Sequence, residues 1–344
     1  MSGTLKVTTL QDGGSATANL TFDTSANTTA GGTVAMASSF KRNRIINGNM
    51  LIDQRNAGAS VTPAVGTYTL DRWVLNVSAA SKVSVQQNAG SVTPPVGFSN
   101  YAGLTSTSAY TVAAGDYISF AQNIEGFNVA DLGWGTANAK TITISFWVRS
   151  SLTGTFGGVI QNSGLNRSYP FTYTIISANT WEQKTLTIAG DTTGTWATGN
   201  TTGIAVLFGI GVGTTFQGTS GAWAATNYVS ATGATNIVAT SGATWYVTGV
   251  QLEVGTKATP YEMQIYSDQL AQCQRYYFAS TVATYVITIG TYNGGQFPVT
   301  MRTIPSMTFP GLAGTQSSLN IVPSGWFFFD NATSGYGVTA SAEL

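Results

Sequence analysis

The sequence predicts a mainly β protein: an extended N-terminal arm, a sandwich or jelly-roll body, one short α-helix and a small C-terminal β module. Three observations carry that expectation. Apolar residues make up 43% of the 344 residues, and charged residues only 8%, fewer than the 11% that are aromatic. Such a chain has much to bury and little charge to keep it unfolded. Apolar and polar residues alternate with period two through many short runs. Gly, Asn, Asp and Pro punctuate the runs roughly every ten residues, the rhythm of sandwiches and jelly rolls.

Residues 1–40 come first and are too thin in large apolar side chains to form a core. Leu5, Val7, Leu10, Leu20 and Phe22, with Val34, Met36 and Phe40, are their only anchors. Leu5–Leu10 and Ala18–Asp23 alternate like strands. The segment reads equally as a disordered leader or as an arm that orders by adding strands to something larger. Residues 41–56 form a connector. Lys41, Arg42 and Arg44 read as a solvated hinge, because so short a basic cluster is a poor footprint for phosphate. Asn47-Gly48-Asn49 is turn chemistry.

The body spans residues 57–265. In Lys140–Arg149, Ile142, Ile144, Phe146 and Val148 share one face. Thr180–Ile188 turns Leu186 and Ile188 inward. In Ile204–Val212, Ile204, Val206, Phe208, Ile210 and Val212 share a face, while Ala205, Gly209 and Gly211 thin the other as if another backbone passes close by. Trp245–Val254 places Tyr246, Val250, Leu252 and Val254 on one side. Trp73 and Trp181 belong to the core.

A helix is expected within 266–278, capped by Ser267, with Asp268 in its first turn, Arg275 near its last, and Leu270, Cys273 and Tyr277 on one stripe. Cys273 reads as a small core residue. Residues 279–344 return to strands, at Tyr285–Ile289, Thr291–Gly295, Gln296–Thr300 and Trp326–Phe329, in a module small enough to lean on a neighbour.

Composition also excludes functions. The chain has no His and one Cys, so imidazole relays, zinc clusters and intrachain disulfides are out. Fourteen Lys and Arg balance fourteen Asp and Glu and are scattered, which argues against a nucleic-acid partner. The longest apolar run, Gly203–Gly213, is about half of what a bilayer span needs, so no membrane insertion is expected. No apolar signal segment follows Met1. No Asp-x-Asp-x-Asp-Gly loop occurs, leaving a calcium on loop carbonyls as the one metal option, and no cofactor is implied. Zero net charge favours assembly, which hides uncharged surface.

Two stretches resemble bacteriophage tail-fibre proteins. Asn43-Arg-Ile-Ile-Asn-Gly-Asn-Met-Leu-Ile-Asp-Gln-Arg-Asn-Ala-Gly58 and Tyr68-Thr-Leu-Asp-Arg-Trp73 are similar to the opening of their body domain. Trp245–Tyr277, through Gly249-Val-Gln-Leu-Glu-Val-Gly255, Ala258-Thr-Pro-Tyr-Glu262 and Leu270-Ala-Gln-Cys-Gln-Arg-Tyr-Tyr277, is similar to its close. Ser2–Asp12 resembles leaders of virion proteins from phages of cyanobacteria and related marine bacteria. Phe297-Pro-Val and Met301-Arg-Thr-Ile-Pro305 resemble the small β module that often follows. The resemblance implies a jelly roll akin to carbohydrate-binding modules, a homotrimer, and a place on the virion tail. It also implies an arm docked through residues 1–40 on tail or tail-adaptor proteins, with contact to host cell-surface polysaccharide. It supplies no binding residues.

Saccharides are commonly held on flat aromatic faces beside amides and carboxylates. Trp134, Trp196 and Trp223, each in a turn-rich context, are therefore the candidate ligand platforms, and an outward Trp147 could be a platform or a subunit contact. Asp116, Glu125 and Asp131 are the densest carboxylates and read as solvated loop residues, so no enzyme is expected. The sequence thus points to a tail fibre that adsorbs to host glycans, with a ligand-free head or tail decoration protein as the alternative and a polysaccharide depolymerase behind it.

Overall fold

The computed structural model describes residues 41–280, 291–311, 316–330 and 336–344, and the short strands Thr9–Leu10, Leu20–Phe22 and Thr28–Thr29. The chain divides into two units, Met1–Arg42 and Asn43–Leu344. In the first, Leu20–Phe22 pairs antiparallel with the strands on either side. Leu10, Leu20 and Phe22 thus stand in strands, whereas Leu5, Val7, Val34, Met36 and Phe40 lie outside the described residues, as does Tyr285–Ile289.

The second unit is a sandwich of two antiparallel sheets. Its strands are β1 (Thr67–Leu70), β2 (Trp73–Val77), β3 (Val83–Gln87), β4 (Ala102–Ser106), β5 (Tyr117–Glu125), β6 (Ile142–Ser150), β7 (Gly154–Gln161), β8 (Ser168–Ile175), β9 (Glu182–Ile188), β10 (Thr202–Val212) and β11 (Thr244–Val254). The six-stranded sheet runs β8-β7-β10-β5-β2-β1, and the five-stranded sheet β9-β6-β11-β4-β3. From β4 onward the chain crosses between sheets at every connection except β7–β8, as in a jelly roll.

Side-chain alternation fills the space between the sheets. Ile142, Ile144, Phe146 and Val148 are fully buried there, on the face their spacing predicts. Trp73 stacks on Phe120 with ring centroids 5.0 Å apart. Trp181 departs from its core assignment. It sits half-buried on the outer face of the five-stranded sheet, because β9 is an edge strand and its neighbour there is Tyr101.

Two bulges change which residues share a face. The β11 register shifts between Thr248 and Gln251 around Gly249, whose φ is 61°. Trp245 and Val247 therefore point into the core before the shift, Val250 and Leu252 after it, and Tyr246 points out. This corrects the expected grouping of Tyr246 with Val250. In β10 a shift between Gly209 and Gly211 moves Val212 away from Ile204 and onto the outer face.

Residues 43–56 are not a connector; they are woven into the sandwich. Ile45 and Met50 are core residues. Asn43 Oδ1 accepts from Leu252 N at 3.0 Å, its Nδ2 donates to Val250 O at 3.1 Å, and Val250 N donates to Gly48 O. The edge that the β11 bulge leaves unpaired is what this segment satisfies. Arg44 is not solvated either: it pairs with Asp131 at 2.8 Å.

The helix α1 spans Tyr266–Gln274, starts after Ile265 with no side-chain cap, and buries Gln269 and Cys273. Its inner stripe is thus Gln269, Cys273 and, just beyond, Tyr276: Cys273 keeps its expected place, while Gln269 and Tyr276 stand in the places expected for Leu270 and Tyr277. Cys273 is fully buried, and burial pushes its thiol well above the usual range. Two small sheets follow. β12 (Tyr277–Ala279) and β14 (Ser306–Thr308) flank β17 (Thr339–Ser341), and β13 (Thr291–Gln296) and β15 (Gln316–Val322) flank β16 (Gly325–Asp330). Phe278, Phe297, Met301, Trp326, Tyr336 and Val338 form their own cluster. Charged bonds tie it to the sandwich. Glu343 pairs with Arg72 and, at 2.8 Å, with Arg55, and Arg302 donates to Asn200 O at 2.6 Å.

Candidate functional site

A groove of about 540 Å³ crosses the outer face of the six-stranded sheet, within the usual range for small-ligand sites. Strand alternation builds its floor. On β5, Ile118, Phe120 and Ile124 point into the core, so Ser119, Ala121 and Asn123 point out. Pairing then sets three rows across the strands. Asn76 of β2 stands beside Ser119, Leu207 of β10 beside Ala121, and Ala205 between Asn123 and Gln161 of β7. Successive rows are two residues, about 7 Å, apart along the strand. An apolar stripe is thereby bordered on both sides by carboxamides.

Tyr117 and Phe216 form one wall, ring edge to ring face with centroids 5.3 Å apart. Asn227 and Val229 form another, on a segment that crosses above β7 and β10. That crossing explains two glycines: a Cβ on Gly157 or Gly209 would come within 2.3 or 2.7 Å of Ser230 Oγ. The backbone passing over the thinned face of β10, expected from its Gly and Ala residues, is this segment. Gln161 Nε2 donates to Asn227 Oδ1, and Asn123 Nδ2 to Leu344 O at 3.2 Å.

Among the described residues, no Lys, Arg, Asp or Glu lines the groove. Carboxamides and hydroxyls both donate and accept, matching the two-way bonding of alcohols. The stripe of Ala121 and Leu207 and the rings of Tyr117 and Phe216 offer C–H-compatible surface. The arrangement suits a polyhydroxylated, partly apolar ligand lying across the strands.

Trp134, Trp196 and Trp223 are brought together, but elsewhere and for another purpose. Their ring centroids lie 4.7, 5.2 and 5.5 Å apart, all edge to face. Each indole N–H donates to a backbone carbonyl: Trp134 to Lys140, Trp196 to Thr193, Trp223 to Ala189. Trp134 and Trp196 belong to the main core and are largely buried, and what they still expose lines a small recess. Trp223 is half-buried and packs on Tyr169. A recess of about 240 Å³ beside Trp134 and Trp196 has no carboxamide in its lining. Arg167 pins the adjoining turn through two 2.7 Å bonds to Asp191.

The carboxylates singled out in sequence are separately engaged. Glu125 is buried. Burial alone would raise its pKa, but Arg275, in two bonds, and the Tyr276 hydroxyl at 2.6 Å outweigh it and hold the carboxyl below the usual range. The Tyr110 hydroxyl at 2.6 Å and then the Ala113 N–H do the same for Asp116. Asp131 holds Arg44.

The groove residues escaped sequence reading because Asn, Gln and Ser on strands look like ordinary solvent-facing positions. The one available signal was the Tyr117-x-Ser119-x-Ala121-x-Asn123 alternation, whose outward set mixes an aromatic, an amide and small residues.

No family model matches the chain, and no curated protein matches it. Among solved structures, the enzymatically active domain of bacteriophage CBA120 tailspike protein 4 is 13% identical at a TM-score of 0.33, covering 62% of this chain and 21% of its own. The chain therefore spans about a fifth of that protein's length. A family 11 carbohydrate-binding module of a Clostridium thermocellum cellulosomal cellulase is 12% identical at a TM-score of 0.29, covering 60% of this chain and 99% of its own. At TM-scores this low, neither likeness carries an assignment of fold or function.

Proposed function

We propose that the chain is a non-enzymatic bacteriophage tail fibre that holds host-surface glycans in the groove of its six-stranded sheet. The observation that carries this reading is the groove itself: an apolar stripe between carboxamide rows, walled by Tyr117 and Phe216, with no carboxylate in its lining. Most glycoside hydrolases flank the bond they cut with a pair of carboxyl groups, and none is among the described lining residues. The resemblance of residues 43–73 and 245–277 to tail-fibre bodies supports the placement on a virion tail, with residues 1–40 as the attachment and three copies per fibre. Weak contacts repeated over subunits and fibres would add up to firm adsorption.

Binding of the full chain to an array of host-surface polysaccharides tests the reading. Phe216→Ala should lower the affinity for any polysaccharide retained at least tenfold, through loss of the aromatic wall. Flat signals across the array would favour a decoration protein without a ligand. Release of reducing ends from capsule or lipopolysaccharide would establish a depolymerase instead.

A further inference from the structure

Resting on that glycan-binding reading, we propose that the groove takes uncharged saccharides and that Ser119 is a specificity-determining contact for one sugar hydroxyl. The first ground is electrostatic. A carboxylate, sulfate or phosphate entering this groove meets no lining cation, so it would lose water without a compensating charge. Two guanidinium groups adjoin the lining, and both are engaged. Arg72 donates to the Asn123 carbonyl but is fully buried and paired with Glu343, and Arg167, next to Asn162 in the backbone ladder, is held by Asp191. At the Tyr117 end the adjoining charge is negative. Ser78 Oγ donates to Asp116 Oδ1 at 3.1 Å and accepts from Tyr117 N at 2.8 Å, which ties that carboxylate to the backbone of the wall residue. An anionic ligand thus finds no compensating cation along the described lining, and the charge tied to its Tyr117 end is negative.

The second ground is an unpaired group. Ser119 Oγ is buried and has no hydrogen-bond partner among the described residues, although buried hydroxyls are nearly always bonded. It stands on the groove side of β5, directly opposite Asn76. Rotation about χ1 would turn the Ser119 hydroxyl, covered in the unliganded fold, toward a sugar hydroxyl beside Asn76, satisfying a group that the fold leaves without a partner.

Calorimetric titration of the full chain with matched pairs tests this: gluco-, galacto- and manno-oligosaccharides against their C6-oxidised uronate counterparts, which differ only in exchanging a hydroxymethyl for a carboxylate. A neutral member should bind, and its uronate at least tenfold more weakly at low salt. Ser119→Ala should weaken the neutral ligand about tenfold while the unfolding temperature of the free protein stays level or rises, since an unpaired buried hydroxyl is removed. Equal or tighter binding of the uronate overturns the neutral specificity. Unchanged affinity in Ser119→Ala, or a fall in both affinity and unfolding temperature, overturns the role of Ser119. If no oligosaccharide binds, or Phe216→Ala binds as the parent does, the glycan reading itself fails and this inference falls with it.

Discussion

On the outer face of the five-stranded sheet, Tyr101 is fully buried against Tyr246 and Trp181, with centroids 5.2 and 5.5 Å away. On the outer face of the six-stranded sheet, the corresponding ground is the amide-bordered groove. The first face is closed by residues 88–101. Asn88 pins the ends of that loop together, its N–H donating to Tyr101 O at 2.9 Å and its Oδ1 accepting from Tyr101 N at 3.1 Å. The loop lies so close to β4 that a Cβ on Gly103 would stand 2.5 Å from that of Ala89. The second face is only half covered, by the segment that crosses β7 and β10. The loop thus adds a packed layer over part of one outer surface, while the other keeps an open groove beside its covering segment. Side chains on the closed face should matter to the fold and not to ligand, and those on the open face the reverse.

The largest expected effect breaks the closed face. Tyr246→Ala removes a buried ring and should cost about 3–5 kcal/mol of stability, read by denaturant unfolding, with glycan affinity unchanged in the folded fraction. A matching loss of affinity would mean the two faces are coupled.

A pH series comes next. Asp71, in the turn between β1 and β2, accepts both 2.6 Å bonds from Gln54, and burial, opposed by Arg55 and by Gln54, lifts its carboxyl to about 6 from 3.8. The folded form thus keeps a proton that the unfolded chain has released. Its contribution to stability is full below about pH 4 and disappears as pH rises through about 6, a change of about 3 kcal/mol. Urea unfolding at pH 4 and pH 7 should show this decline against the other titrations, and Asp71→Asn should flatten it. An unchanged pH profile in the variant would remove Asp71 as the cause.

The smallest effect sharpens the open face. Asn227→Ala removes the acceptor for Gln161 at the groove wall and should cost less than about 1 kcal/mol of stability, while weakening glycan binding several-fold in titration. A larger stability loss with intact binding would make Asn227 a structural residue.

Much of the fold could be read from the chain because it is written locally. The inward set of Ile142, Ile144, Phe146 and Val148 needs only period-two alternation, and the face thinned by Ala205, Gly209 and Gly211 announces a close approach. What failed was non-local. The phase of Tyr246 depends on a bulge at Gly249, which nothing in a period-two pattern marks. The three tryptophans looked exposed because each lies among turn residues, yet the turns around 134, 196 and 223 converge and bury one another's indoles. The groove is harder still. Its rows exist only through the register of β2, β5, β10 and β7, strands drawn from residues 73 to 212.

The wall bearing Asn227 and Val229 is not a strand of either sheet; it rests on the bare backbone of Gly157 and Gly209. Ser168 of β8 bonds this stretch through the backbone of Ala224 and Thr226, so the wall is held by main-chain contacts that leave the Asn227 side chain free to differ. A side chain changed at that one position would reshape the groove's rim while the register below stays as it is.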